Sequence, residues 1–284
     1  MTVVEVEGQR FTEIAWRGRE VTVEYAWVGP LDPRDRERPL VVFLHEGLGS
    51  VAMWKDFPRT LCDAAKVRGL VYSRPGYGAS TPRNSSEHWD VDYLHQQAYE
   101  VLPAFLARVG VDGAVSPPWL LGHSDGGSIA MLHAAAFSRS VSGLVLLAPH
   151  VFVEPVSVTS IEAVRAAYLQ TDLRERLAKY HEDVDSAFWG WNDIWLDPRF
   201  RAWNIESQIE GIRCPVLAVQ GREDEHGTLE QLRAIVRRVP WTRVLELDDC
   251  RHSPHRDQPD RLLEGIVAFL DSSSTQEQRR DRIA

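Results

Sequence analysis

The chain has 284 residues, 44% hydrophobic and 26% charged, fractions that exclude a disordered, collagenous or coiled-coil protein. Its 41 acidic side chains outnumber 32 basic ones, and the net charge of −9 repels phosphate backbones and anionic lipid surfaces. Neither nucleic acid nor a membrane is therefore expected as a partner. The length fits one or two domains at about 150 residues each. Three cysteines, Cys62, Cys214 and Cys250, cannot form a paired framework. With no leader pattern, and no apolar run near the ~20 residues that span a bilayer, a cytoplasmic protein is expected.

In chain order, Phe11–Trp16 and Val21–Trp27 alternate as half-exposed strands joined through Arg17-Gly18-Arg19. Pro33–Pro39 is charged and loop-like. The pattern then changes to continuous apolar runs at Leu40–Leu44, Gly69–Tyr72, Trp119–Leu121, Leu144–Leu147, Pro215–Val219 and Val244–Leu247. Such runs suit strands buried on both faces of a parallel sheet. Helical patterns separate them. Tyr93–Val109 has one apolar face, interrupted by Pro103, which should kink it. Ser128–Phe137 is small and apolar. Thr228 and Gln231 form a capping box for a helix to Val239, and Pro259 opens a last helix through Leu270. More than 60 residues separate the strand ending near Ala148 from the one starting at Pro215. Ile161–Tyr180 is helical in pattern and Ser186–Ile205 is rich in aromatics, as an inserted lid would be. The expected division is a core at 1–151, a helical lid at 152–211, the rest of the core at 212–271 and a polar tail at 272–284.

Between the apolar strand at Leu120-Leu121 and the small-residue helix stands Gly122-His123-Ser124-Asp125-Gly126. A serine on so tight a strand-to-helix turn needs glycine two positions away on either side, where side chains would collide. The following helix points its positive end at a developing oxyanion. A hydroxyl needs a base to become a nucleophile, and the base needs an orienting carboxylate. His252, after the last strand, is the best placed of ten histidines. Asp224, after the preceding strand, is the expected acid, with Glu223 and Glu225 as rivals. His45 is expected to fix a turn and His255 to buttress a loop. No set of side chains has metal-ligand spacing with a closing partner.

These pieces resemble the α/β-hydrolase superfamily over nearly the whole chain. They are His45-Glu46-Gly47-Leu48-Gly49-Ser50, Ser73-Arg74-Pro75-Gly76-Tyr77-Gly78, the Gly122–Gly126 turn, Gly221–Asp224 and His252-Ser253-Pro254-His255. The resemblance implies an α/β fold: a mostly parallel sheet with helices on both faces and a helical lid. It also implies Ser124 as nucleophile, His252 as base, Asp224 as orienting acid, and an oxyanion hole from the N–H groups of Asp125 and Gly47, with Leu48 as the fallback. No cofactor is implied. The family often has His-Gly where this chain has His45-Glu46, and a carboxylate facing the oxyanion would oppose catalysis. Serine at 124 argues against the alkyl-ester chemistry of haloalkane dehalogenases and epoxide hydrolases.

Trp189, Trp191, Trp195 and Trp203 are four of the ten tryptophans. Helical spacing puts Trp191 and Trp195 on one face, where they can line a pocket above Ser124. Met53 and Trp54 are expected as floor residues and Glu46 as a further substrate contact. The expected activity is serine hydrolysis of a small to medium apolar or aromatic carboxylic ester. Three alternatives stand beside it. A carbon–carbon hydrolase of ring-fission acids would need a cation such as Arg74, Arg222 or Arg251. An amino-acid-ester hydrolase would use Asp125 to hold an ammonium. A non-catalytic binder has little need of the full Ser–His–Asp set. The expected partner is a small molecule, and a homodimer is compatible with the chain.

Overall fold

The computed structural model describes residues 8–30, 35, 37–84 and 86–281, with the backbone alone for 274–281. The charged loop at Pro33–Pro39 lies partly outside the described residues. The chain opens with an antiparallel hairpin, β1 (Gln9–Trp16) and β2 (Arg19–Val28). Arg17 and Gly18 both take positive φ, 50° and 71°, as a short hairpin turn needs to match strand twist. β3 (Leu40–Leu44), β4 (Arg68–Tyr72), β5 (Trp119–His123), β6 (Gly143–Leu147), β7 (Val216–Gly221) and β8 (Arg243–Leu247) then pair in parallel. The sheet order is β1-β2-β4-β3-β5-β6-β7-β8, with β2 antiparallel to β4.

The apolar runs are continuous because each strand feeds two cores. Val42, Leu44, Leu120, Leu144 and Leu146 face one; Val41, Phe43, Leu121, Val145 and Leu147 face the other. The helices, in chain order, are α1 (Phe57–Ala65), α2 (Tyr93–Gln96), α3 (Leu102–Arg108), α4 (Asp125–Ala136), α5 (Pro155–Gln170), α6 (Leu173–Leu177), α7 (Val184–Leu196), α8 (Glu230–Arg238), α9 (Pro254–Asp257) and α10 (Pro259–Asp281). α1 and α10 cover the second core, and α2–α4, α7 and α8 pack on the first. No helix among the described residues is long and apolar enough to cross a membrane.

Four local readings are corrected. Pro103 does not simply kink a helix: α2 and α3 are joined by a π turn, Gln97–Val101, in which the Leu102 N–H reaches back to Gln97 O. The Ala98 carbonyl would then need the N–H that Pro103 lacks, and the ring of His133 donates to it instead at 2.8 Å. Thr228 is capped not by Gln231 but by Glu154, which accepts from its N–H and its hydroxyl at 2.8 and 2.7 Å. The helix expected over Ile161–Tyr180 starts at Pro155 and breaks at Thr171, whose backbone is extended and whose hydroxyl donates to Ala167 O. The last helix does not stop at Leu270: α10 carries on through the polar tail to Asp281, and residues 282–284 lie outside the described residues.

Strand order reverses direction between β3 and β5, so the loops leaving their carboxyl ends part there and leave a crevice. Open α/β sheets bind ligands at such a switch point. The loops after β3, β5, β6, β7 and β8 bring Glu46, Ser124, His150, Asp224 and His252 to this edge.

Candidate active site

Ser124 joins β5 to α4 with φ 53° and ψ −116°, a conformation that side chains rarely adopt. Such a conformation costs roughly 1–3 kcal/mol and persists only where the surroundings hold it. Here its N–H is tied to Leu147 O at 2.9 Å. A Cβ on Gly122 would strike the Gly126 backbone, and one on Gly126 would strike the Leu44 carbonyl, so glycine is obligatory at both positions. The N–H of Asp125 opens α4 and has no acceptor within the helix. Gly47, the other expected oxyanion donor, lies directly beneath the lid: a Cβ there would enter the Trp191 indole.

The acidic run after β7 separates into three tasks. Asp224 accepts from His252 Nδ1 at 2.8 Å. Glu223 accepts from the Cys250 N–H at 2.9 Å and Glu225 from the His252 N–H at 3.2 Å, so the two rivals hold the loop while Asp224 alone takes the ring. With Nδ1 donating to the carboxylate, Nε2 of a neutral His252 is left as an acceptor. Burial alone would raise the Asp224 pKa, but the charge and hydrogen bond of His252 outweigh it and hold the carboxylate below its ordinary range. Burial would likewise lower the His252 pKa; Asp224 overcomes that and raises it above 6.5.

Ser124 and His252 line one cavity of about 130 Å³. The core contributes Glu46, Gly47, Leu48, His150 and His226 to its wall; the lid contributes Ser157, Ile161 and Val164 from α5 and Trp191 and Trp195 from α7. His150 and His226 carry no motif, and sequence reasoning missed both. Their ring centroids lie 5.8 and 4.5 Å from that of His252. Burial, reinforced by the neighbouring rings, pushes each pKa down to about 3, so both stay neutral beside the base. Position was the one available signal: His150 follows a strand that ends at the crevice, and His226 stands two residues past Asp224.

The expected floor is corrected. Trp54 does not line the cavity: the turn Ala52–Trp54 directs it into the second core, against Phe43, Phe57 and His255. Met53 does not line it either and is half-buried against the first core. Most lid aromatics seat the lid, with Phe188 stacked on Tyr168 and Phe200 on Trp203. Asp125 is not open to an ammonium group. It is fully buried, accepting from Tyr93 OH at 2.9 Å and Trp195 Nε1 at 3.2 Å, with Arg74 at 3.6 Å. Burial raises its pKa, and Arg74 opposes the rise. The three arginines considered for an acidic substrate are also committed elsewhere. Arg74 pairs with Asp125, Arg222 with Glu246 and Asp248, and Arg251 with Glu225. His45 does fix its turn, lying 2.7 Å from Glu46 O and accepting from the Arg74 N–H. Among the described residues, no group of three His, Cys, Asp or Glu side chains is arranged to hold a metal ion.

A profile of the alpha/beta hydrolase family matches residues 41–264. The chain belongs to this family. It is also similar to the polyketide synthase ThaQ of Burkholderia thailandensis, 26% identical over 257 residues, covering 82% of this chain and 12% of that protein. The chain thus spans about an eighth of that relative's length. Among solved structures, an esterase from Thermogutta terrifontis superposes with TM-score 0.69 at 19% identity, covering 93% of this chain and 99% of that one. An enol-lactonase from Burkholderia xenovorans gives 0.68 at 20%, covering 92% and 100%. A meta-cleavage product hydrolase from Pseudomonas fluorescens gives 0.69 at 18%, covering 92% and 98%. At these identities the structural likenesses establish the fold alone.

Proposed function

We propose that the chain is a serine hydrolase that cleaves small, uncharged carboxylic esters through an acyl-enzyme. The observation that carries the reading is the 2.8 Å pairing of His252 Nδ1 with buried Asp224, in a ring that shares its cavity with Ser124 on its strained turn. His252 Nε2 takes the Ser124 proton as Oγ bonds to the ester carbon, and the carbonyl electrons move onto oxygen. The N–H groups of Asp125 and Gly47 receive that oxyanion; one such donor is typically worth ~10²–10³ in rate. The intermediate collapses, the bond to the alkoxy oxygen breaks, and His252 passes its proton to the leaving alcohol. Water then repeats the sequence on the acyl-enzyme and releases the acid.

Size and polarity support the substrate class. An apolar cavity of about 150 Å³ holds one benzene molecule, so about 130 Å³ suits a short chain or a single ring. Leu48, Ile161, Val164, Trp191 and Trp195 give apolar walls. The carbon–carbon reading is disfavoured because ring-fission products are acids, while the lining has the carboxylate of Glu46 and neither Arg nor Lys. Buried reduced thiols at Cys62, Cys214 and Cys250 suit the cytoplasm.

The test is a panel of short-chain and benzoate p-nitrophenyl esters beside a ring-fission dienoate, run on the protein and on Ser124→Ala. Ester turnover that falls at least about 10⁴-fold in Ser124→Ala, with the thermal midpoint unchanged, is the expected result. Full esterase activity in Ser124→Ala, or preference for the dienoate, would overturn it.

A further inference from the structure

The turn after β3 carries an expected oxyanion donor, and it is held from two sides. The Gly49 N–H closes it onto the Glu46 carbonyl at 3.1 Å, which leaves Gly47 and Leu48 at its centre, both lining the cavity. Among the described residues, neither of these two N–H groups meets an acceptor. The core pins one end of the turn: the Glu46 carbonyl also lies 2.7 Å from His45 Nδ1 and accepts from Arg74 Nη2 at 2.8 Å. The lid pins the other. His181, between α6 and α7, places its Nε2 2.9 Å from the Leu48 carbonyl.

Hydrogen-bond bookkeeping fixes the state of that ring. The Gly78 N–H can only donate, and it lies 3.0 Å from His181 Nδ1. Nδ1 is therefore the lone pair, and Nε2 carries the proton that the Leu48 carbonyl accepts. Both ring nitrogens are spent in this way, and His181 is 2% exposed. Burial pushes its pKa down to about 4, so the ring is neutral and keeps both bonds at neutral pH. Gly78 is a firm anchor for it. Its φ is 59°, and a Cβ there would strike Glu24 and Ser73. The next N–H, of Ala79, donates to buried Glu24 at 2.9 Å. The Gly78 carbonyl accepts from the Glu182 N–H at 2.8 Å, so the lid residues 181 and 182 take both polar groups of Gly78.

We propose that His181 is a positioning residue of the oxyanion site: its ring is a strut between Gly78 and the Leu48 carbonyl that aims the Glu46–Gly49 turn at the oxygen that becomes negative. The inference rests on the ester-hydrolase reading and makes the lid a working part of it, because a lid that swings away takes the strut with it.

The test follows kcat and KM for p-nitrophenyl butyrate and the inhibition constant of 1,1,1-trifluoro-2-hexanone, whose adduct with a serine carries an oxyanion. His181→Phe keeps a ring and removes both hydrogen bonds. It should lower kcat at least about 10-fold, since a displacement of 1 Å in such a site costs up to ~10² in rate. Binding of the ketone should weaken by a similar factor, with KM within about 3-fold. His181→Gln, whose amide both accepts and donates, should recover most of both losses. A residue that merely seats the lid would give the opposite pattern in His181→Phe: a raised KM or a lower thermal midpoint, with kcat and ketone affinity kept. That pattern would overturn the role of His181 alone. The unmodified protein gives a second readout that needs no variant. Nitrogen NMR should show His181 as the Nε2–H tautomer, with that signal shifting when the ketone adduct forms; an Nδ1–H ring, or a signal indifferent to the adduct, would also overturn the role. No fluorophosphonate labelling of Ser124 and no ester turnover in the unmodified protein would overturn the ester-hydrolase reading, and the inference with it.

Discussion

Ser124 has a closed flank and an open one. On the closed side, Asp125 is buried with Tyr93, Trp195 and Arg74 around it, and both its carboxylate oxygens have partners in the protein. On the open side, Glu46, His150, His226 and His252 all line a cavity, and the buried Nδ1 of His150 has no partner among the described residues. Both flanks bury ionisable groups. The difference teaches where chemistry is expected: a buried charge satisfied by its neighbours holds the fold together, whereas atoms left unsatisfied beside a cavity await a ligand.

The largest way to break this comparison is Asp224→Asn. On the proposed mechanism it leaves His252 without its orienting carboxylate, and kcat should fall about 10³–10⁴-fold. Glu223→Gln, a neighbour that holds only the loop, should cost less than about 10-fold. Equal losses from the two would erase the distinction between the three acidic residues.

The closed flank should respond in stability instead. Arg74→Met leaves Asp125 buried without its cation and should lower the unfolding free energy by roughly 3–5 kcal/mol, read from urea midpoints. Adding Asp125→Asn to Arg74→Met should recover part of that loss. A double variant less stable than Arg74→Met alone would contradict the pairing.

A smaller effect sharpens the open side. His252 must be neutral to act as a base, and its pKa is raised above 6.5 chiefly by Asp224 acting against burial. The acid limb of kcat/KM should therefore have its midpoint above 6.5. The same pair has a stability signature with two edges. For His252 the gain is fully present below 6.5 and is lost as pH rises through the raised value. For Asp224, whose pKa is depressed, it is present above 3.8 and is lost as pH falls through the lowered value. An activity midpoint below 6.5 would contradict the coupling.

The smallest expected change separates two tryptophans. Trp191→Phe, in the cavity wall, should raise KM a few-fold for an aromatic ester, whereas Trp54→Phe, in the second core, should leave KM unchanged and lower the thermal midpoint. The reverse pattern would restore Trp54 to the site.

Much of this was legible in the sequence because its causes are local. Continuous apolar runs mark strands that feed two cores, and Gly122 and Gly126 mark a turn with no room for side chains. The rest depends on contacts between distant residues. Glu154 caps Thr228 across 74 positions, and His133 rescues a carbonyl on α2–α3 across 35. Trp54 is aimed by a single short turn, and no pattern announced which way it points. His150 and His226 reach the cavity through strand ends that sequence placed correctly, but a lone histidine carries no signal of what it faces. Asp224 could be told from Glu223 and Glu225 only once the position of the ring was known.

The central claim, a covalent intermediate on Ser124, is tested most directly by acid-quenching the protein within milliseconds of adding p-nitrophenyl butyrate and measuring intact and peptide masses. The predicted result is a butyryl adduct on the peptide containing Ser124, formed in step with a burst of p-nitrophenol and absent from Ser124→Ala. Sustained turnover with the butyryl group on any other residue, or undiminished turnover in Ser124→Ala, would contradict it.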